Sequence, residues 1–181
     1  MRRAIVLALA LGGATAAQEG VFLSEAEAPA AVFSEAARFE RLEYAATGAL
    51  KAAVAAKMGD TPPSTWEERW VVYRAFGDDG VLGHAFLLQE IGKHRPIDFV
   101  VGLRPDGTVR DVAVMAYREA YGGEIASRRF LVQYRGKGVR DGLKPFRDVR
   151  NVAGATLSVE AASRAVRKAQ ALATVLEVAH P

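Results

Sequence analysis

The chain is expected to fold as an α+β domain: an antiparallel sheet of two hairpins, helices packed to one side, and an amphipathic helix at the C-terminus. Three observations predict this. From Trp66 to Met115 the residues are β-branched and aromatic and are punctuated by turn-formers. Helical spacing is confined to the segments before and after that stretch. The last of these, Val159 to Val178, repeats apolar residues at three- and four-residue steps through Val159, Ala162, Val166, Ala169, Ala173 and Leu176.

Taken in order, Met1-Arg2-Arg3 precedes an uncharged apolar run, Ala4 to Leu11, and then small residues with an Ala-x-Ala pattern. This run is shorter than the roughly 20 apolar residues a spanning helix needs. Residues 1–17 therefore read as a secretory signal peptide, cleaved after Ala16 or Ala17. The mature chain is expected to be a soluble periplasmic or otherwise extracytoplasmic protein, secreted across the inner membrane. Residues 18–65 read as a helical N-terminal extension, with helices over Ala30 to Leu42 and Thr47 to Met58 and a stop at Pro62-Pro63. The main domain is placed at residues 66–178. Its first hairpin runs from Trp70 to Phe76, through Gly77-Asp78-Asp79-Gly80, and back over Val81 to Leu88. The second pairs Ile97 to Leu103 with Thr108 to Met115 across Arg104-Pro105-Asp106-Gly107.

Composition excludes several functions. Of 181 residues, 24 are Lys or Arg and 21 are Asp or Glu, a net +3. Without Arg2 and Arg3 the balance is 22 − 21 = +1. Too little positive charge remains to make nucleic acid a partner. The absence of cysteine excludes disulfides, thiolate metal sites and a cysteine nucleophile. His84, His94 and His180 lack metal-site spacing and read as surface or sheet-edge residues. No Gly-x-Ser-x-Gly elbow, phosphate-binding lysine loop or dinucleotide fingerprint is present. The basic cluster Arg128, Arg129, Arg135, Lys137 and Arg140 reads either as a solvated face or as a local anion site.

The chemistry concentrates before the last helix. Gly154-Ala155-Thr156 lies in a turn, with Ser158 placed as the N-cap of the helix and Arg164, Arg167 and Lys168 turned outward. The small neighbours leave the Thr156 hydroxyl unobstructed, and free N–H groups at a helix start accept a phosphate. Other segments stand upstream in a fixed order. They are Gly92 to Ile97, Val101 to Val109, Tyr117-Arg118-Glu119 with Gly122 to Ile125, Arg129 to Lys137, and Ala153 to Ser158. In this series the chain resembles the FMN-binding domain proteins, whose Gly-Ala-Thr-x-Ser segment carries FMN through a phosphoester to the threonine. The resemblance spans roughly Trp66 to Leu176.

The resemblance implies that Thr156 is the acceptor, flanked by Gly154, Ala155, Leu157 and Ser158. It further implies that a magnesium-dependent flavin transferase attaches the FMN from FAD. Such proteins relay electrons, so an unidentified membrane or periplasmic redox partner is implied, with no catalytic residue and no bound metal. A flavin-dependent reductase of a small acceptor and a cofactor-less binding or assembly module are the alternatives. The chain departs from the family at Ala153, where Ser or Thr is usual, and at Arg150, where Asp is frequent. For the flavin itself, Gly122 and Gly123 allow close backbone approach, and Phe130 or Tyr134 offers ring contact. Glu119 and Gln133 can bond the polar edge of the ring, and Lys137 or Arg150 can face the phosphate. These residues read equally as turn glycines, a core phenylalanine and an ion-paired glutamate.

Overall fold

A computed structural model describes residues 20–178. The expected signal peptide and His180 lie outside the described residues. Five strands form one antiparallel sheet in chain order: β1 (Arg38–Ala45), β2 (Arg69–Gly77), β3 (Gly80–Ile91), β4 (Pro96–Leu103) and β5 (Val109–Ala116). Every neighbouring pair is antiparallel, so the sheet is a continuous meander. Both expected hairpins are present. The β4–β5 turn closes with Gly107 at φ 78° and with the Asp106 carboxylate accepting from the Thr108 amide.

The helix expected over Ala30 to Leu42 is replaced by two elements. A short helix, α1 (Ala28–Val32), is followed by β1, whose whole length pairs with Arg69 to Phe76 of β2. Residues 18–65 are thus not a purely helical extension. Strand β1 is an edge strand, and its Arg and Glu side chains point to water and pair across the ladder, as in Arg69–Glu43 at 2.8 Å. Charged residues on an edge strand discourage pairing with another chain, and here their spacing mimics a solvated helix.

Successive strand residues alternate between two cores. On one face Trp70, Val72, Phe86, Phe99 and Val101 pack beneath α2 (Gly48–Met58) and α4 (Thr156–Val175). On the other, Ala75, Ala85 and Val100 pack against α1 and Phe33. Gly102 makes this second core possible, because a Cβ there would lie 3.0 Å from Val32 Cβ and 3.1 Å from the Phe33 ring. Helices therefore cover both faces, with the two longer ones on the same side.

Helix α4 is buried over most of its circumference, and six of its buried residues are alanines, which let its backbone lie close on the sheet. Lys168, expected to face outward, is fully buried. Its ammonium donates to Thr65 O at 3.0 Å, Glu67 Oε1 at 2.9 Å and Gln89 O at 3.1 Å. It also faces the fully buried Glu90 at 3.5 Å, and Arg164 bonds the other Glu90 oxygen at 3.2 Å. Burying a lysine is tolerable only where each donor finds an acceptor, and partners far away in sequence supply all of them. His84 is also interior rather than at an edge, at 4% exposure within the central strand β3.

Candidate functional site

The segment between β5 and α4 builds one wall of a cleft, and the start of α4 builds the other. Tyr117, just past β5, is buried, and its hydroxyl donates to the Tyr121 carbonyl while lying 3.1 Å from Ser158 Oγ on α4. Gly122 follows in the left-handed region, at φ 85°. A Cβ at this position would collide with Ala155, so only glycine lets the loop backbone close on the helix start. A 310 turn over Gly123–Ala126, the helical turn α3 (Arg128–Leu131) and a second 310 turn to Tyr134 then return the chain to the core. There the Tyr134 hydroxyl meets Ser163 Oγ on α4 at 3.0 Å, and burial pushes its pKa up to about 12.

Helix α4 begins one turn earlier than the sequence suggests. Ala155 occupies the N-cap position and offers no side-chain acceptor, and the first turn contains no acid. Ser158 is consequently not the cap; it sits in the helix, buried against Tyr117. The opening N–H groups of a 20-residue helix thus lack side-chain partners, as at anion-binding helix ends. Thr156 is the first helical residue and is half-buried. Its Oγ1 accepts a hydrogen bond from Asn151 Nδ2 at 3.0 Å, while Asn151 Oδ1 is buried without a hydrogen-bond partner among the described residues.

Thr156 opens on a cleft of about 620 Å³, a size suited to a small-molecule cofactor. Lys93, His94, Glu119, Tyr121, Gly122 and residues 153–158 are among its lining. The third side comes from the β3–β4 connection, which Glu119 holds in place. One Glu119 oxygen accepts from the backbone N–H of His94 at 2.6 Å and of Arg95 at 3.0 Å. Burial raises the Glu119 pKa, but the N–H groups of His94, Arg95 and Lys93 outweigh it and hold the carboxyl below its ordinary value. Glu119 is an anion that organises the cleft wall and keeps Lys93 and His94 at the rim.

Of the residues singled out in the sequence, Gly154, Ala155, Thr156, Leu157, Ser158, Glu119 and Gly122 come together around this cleft. Gly123, Phe130, Gln133 and Lys137 do not line it. Phe130 is buried and packs edge-on against Tyr134, with ring centroids 6.1 Å apart. Gln133 accepts from the Arg150 amide at 2.7 Å, and the Arg150 guanidinium is turned to Arg129 O at 3.0 Å. Lys137 lies by β5, where its carbonyl accepts from Val109 N at 2.9 Å. Arg135 of the basic cluster is ion-paired with Asp111. Asn151, Tyr121 and the Lys93-His94 rim escaped the sequence reading. Tyr121 adjoins Gly122 and Asn151 precedes the threonine segment, so proximity in sequence was the available signal.

The cleft has the features an FMN needs: a hydroxyl at its mouth, uncapped N–H groups beside it for a phosphate, and an open backbone at Gly154, where a Cβ would meet nothing within 4 Å. Among the described residues no group of His, Asp and Glu could hold a metal ion, and no helix is long and apolar enough to cross a membrane. No curated protein matches the chain. Residues 92–171 match the family model described as the FMN-binding domain. This stretch contains β4, β5, the loop wall of the cleft and most of α4, so the match falls on the elements that build the site. The chain carries an FMN-binding domain at residues 92–171, which supports a flavin-binding protein.

Proposed function

We propose that the protein carries FMN in this cleft, joined by a phosphoester to Thr156, and relays electrons between redox partners outside the cytoplasm. The observation that carries the reading is the position of the Thr156 hydroxyl. It stands at the first residue of an uncapped helix, on the cleft, with Asn151 Nδ2 3.0 Å away. When bound, FMN supplies one- and two-electron redox chemistry.

The chain's own residues divide the remaining work. In maturation, Thr156 Oγ1 replaces AMP on the flavin-side phosphorus of FAD. The pyrophosphate bond breaks, and the hydroxyl proton passes to the magnesium-dependent transferase. The resulting phosphodiester is an anion, which the first-turn N–H groups of α4 stabilise by about 0.3–1 kcal/mol where solvent reaches them. Gly154 and Ala155 leave room for the transferase to reach the hydroxyl. Asn151 orients it through the amide hydrogen bond. Gly122 brings the loop backbone against the helix start, and Glu119 holds the Lys93-His94 wall, whose cation at Lys93 suits a ring that gains negative charge on reduction.

A tether makes cofactor retention intramolecular and independent of free FMN, which fits a protein exported by a signal at residues 1–17. Co-expression with a flavin transferase, followed by denaturing electrophoresis, tests the attachment. The wild-type band is expected to fluoresce as a flavin, and Thr156→Ala is expected to be dark. A fluorescent Thr156→Ala band would overturn the assignment. The relay is tested by reducing the purified flavoprotein: rapid reoxidation only on addition of a protein acceptor is expected, and equally rapid turnover with small acceptors alone would favour the reductase.

A further inference from the structure

We infer that Tyr121 is the residue that covers the flavin ring, its phenol lying against one face of the isoalloxazine at the mouth of the cleft. This rests on the reading of the cleft as the FMN site and goes beyond it by naming what shields the ring from solvent. Three observations carry the assignment.

First, Tyr121 is 83% exposed, the highest value among the exposed large hydrophobic residues of the described chain, and it lines the cleft that Thr156 opens on. Second, its backbone is held in place. The Tyr117 hydroxyl bonds its carbonyl, and the next residue, Gly122, is pressed against Ala155 with no room for a Cβ. The ring therefore stands mostly in solvent, on the residue before the one that closes on the helix start. Leaving such a ring in water forgoes the burial that aromatic side chains usually supply. Third, the other rings near α4 are committed elsewhere. Phe130 and Tyr134 pack on each other in the core, and Tyr117 is buried against Ser158. On the helix side Leu157, 43% exposed, also lines the cleft. The cleft thus has an exposed aromatic and a partly exposed aliphatic residue beside the acceptor hydroxyl. A flat aromatic occupant stacks on the first in the offset geometry such rings prefer.

The test uses a property that a merely structural role does not move. A phenol in contact with a photo-excited flavin lends it an electron and takes it back in the dark, which quenches the flavin's fluorescence with no net chemistry. Wild type, Tyr121→Phe and Tyr121→Ala are produced with the transferase, or saturated with FMN where no covalent flavin forms. Flavin is counted after denaturation, and native fluorescence is expressed per flavin. Native wild type is expected to be quenched several-fold relative to its unfolded form. Both variants are expected to lose most of that quenching. Iodide is expected to reach the flavin several-fold more readily in Tyr121→Ala than in wild type, with Tyr121→Phe close to wild type. The melting temperature of the flavin-free chains should stay unchanged, since the ring supports nothing in the protein. Unchanged fluorescence per flavin and unchanged iodide access in Tyr121→Ala would overturn the role of Tyr121 alone. A wild-type chain that takes up no flavin by either route would overturn the site reading together with it.

Discussion

The middle of α4 and its N-terminal end belong to one helix and obey opposite rules. Around Lys168 every element closes in. The ammonium is fully buried, and Thr65, Glu67, Gln89 and Glu90 surround it with oxygen. At Thr156 the same helix starts without a cap, beside a tyrosine ring exposed to water and a glycine that leaves open space. Polar groups are matched internally where the helix holds the fold, and the N-terminal N–H groups lack a side-chain cap where it meets the cleft. A helix with one end unsatisfied tolerates this only because its centre is secured elsewhere.

Three changes sharpen that contrast, and the largest falls at the closed region. Lys168→Ala takes the ammonium from both Glu67 and Glu90, leaving Glu90 with Arg164 alone, and loss of one partner from a buried ion pair costs about 3–5 kcal/mol. Urea unfolding of the flavin-free chain should show that loss, and Glu90→Gln in the same chain should recover part of it. A loss below 1 kcal/mol would mean the network is incidental.

Next comes His84, which burial and the nearby Arg74 guanidinium hold down to about 4, from an ordinary 6.5. The folded form binds its proton less readily than the unfolded form. Stability from this residue is therefore complete above pH 6.5 and is lost as the pH falls toward 4. The shift corresponds to at most about 3 kcal/mol. The fall in stability between pH 7 and pH 4.5 should be markedly smaller in His84→Gln than in wild type. Equal slopes in the two proteins would contradict the burial argument.

The smallest effect on stability is at the cleft. Gly122→Ala places a side chain at positive φ against Ala155, with a strain of about 1–3 kcal/mol. It should cut flavin loading by more than that modest destabilisation explains, because it displaces the wall from the acceptor threonine. Full loading, judged by in-gel fluorescence, would show that the close approach is dispensable.

The contrast also explains what could be read from sequence. The threonine segment was legible because it is contiguous: the turn, the small residues and the helix start lie within Ala153 to Ser158. Strands β2 to β5 were legible through alternation and turn chemistry, as at Arg104 to Gly107. Strand β1 was not, since Phe39 and Leu42 sit three apart among Glu and Arg, a spacing that an edge strand and a solvated helix share. Lys168 was misjudged because its acceptors lie about 80 to 100 residues away, in Gln89 and Thr65, and no local pattern announces them. Ser158 resembled a cap, yet its hydroxyl was wanted by Tyr117, 41 residues earlier. Phe130, Gln133 and Lys137 have chemistry suited to a flavin and do not line the cleft beside Thr156. Tertiary contacts chose Tyr121 and the rim at Lys93 and His94 for the cleft instead.

The central claim is that one hydroxyl at the start of α4 holds the cofactor permanently. Its most direct measurement is the mass of the chain made beside a flavin transferase, followed by mapping of the peptide that spans residues 151–164. A gain equal to FMN less one water, located on Thr156, is the expected result. An unmodified mass, or the same gain on another residue, would contradict it.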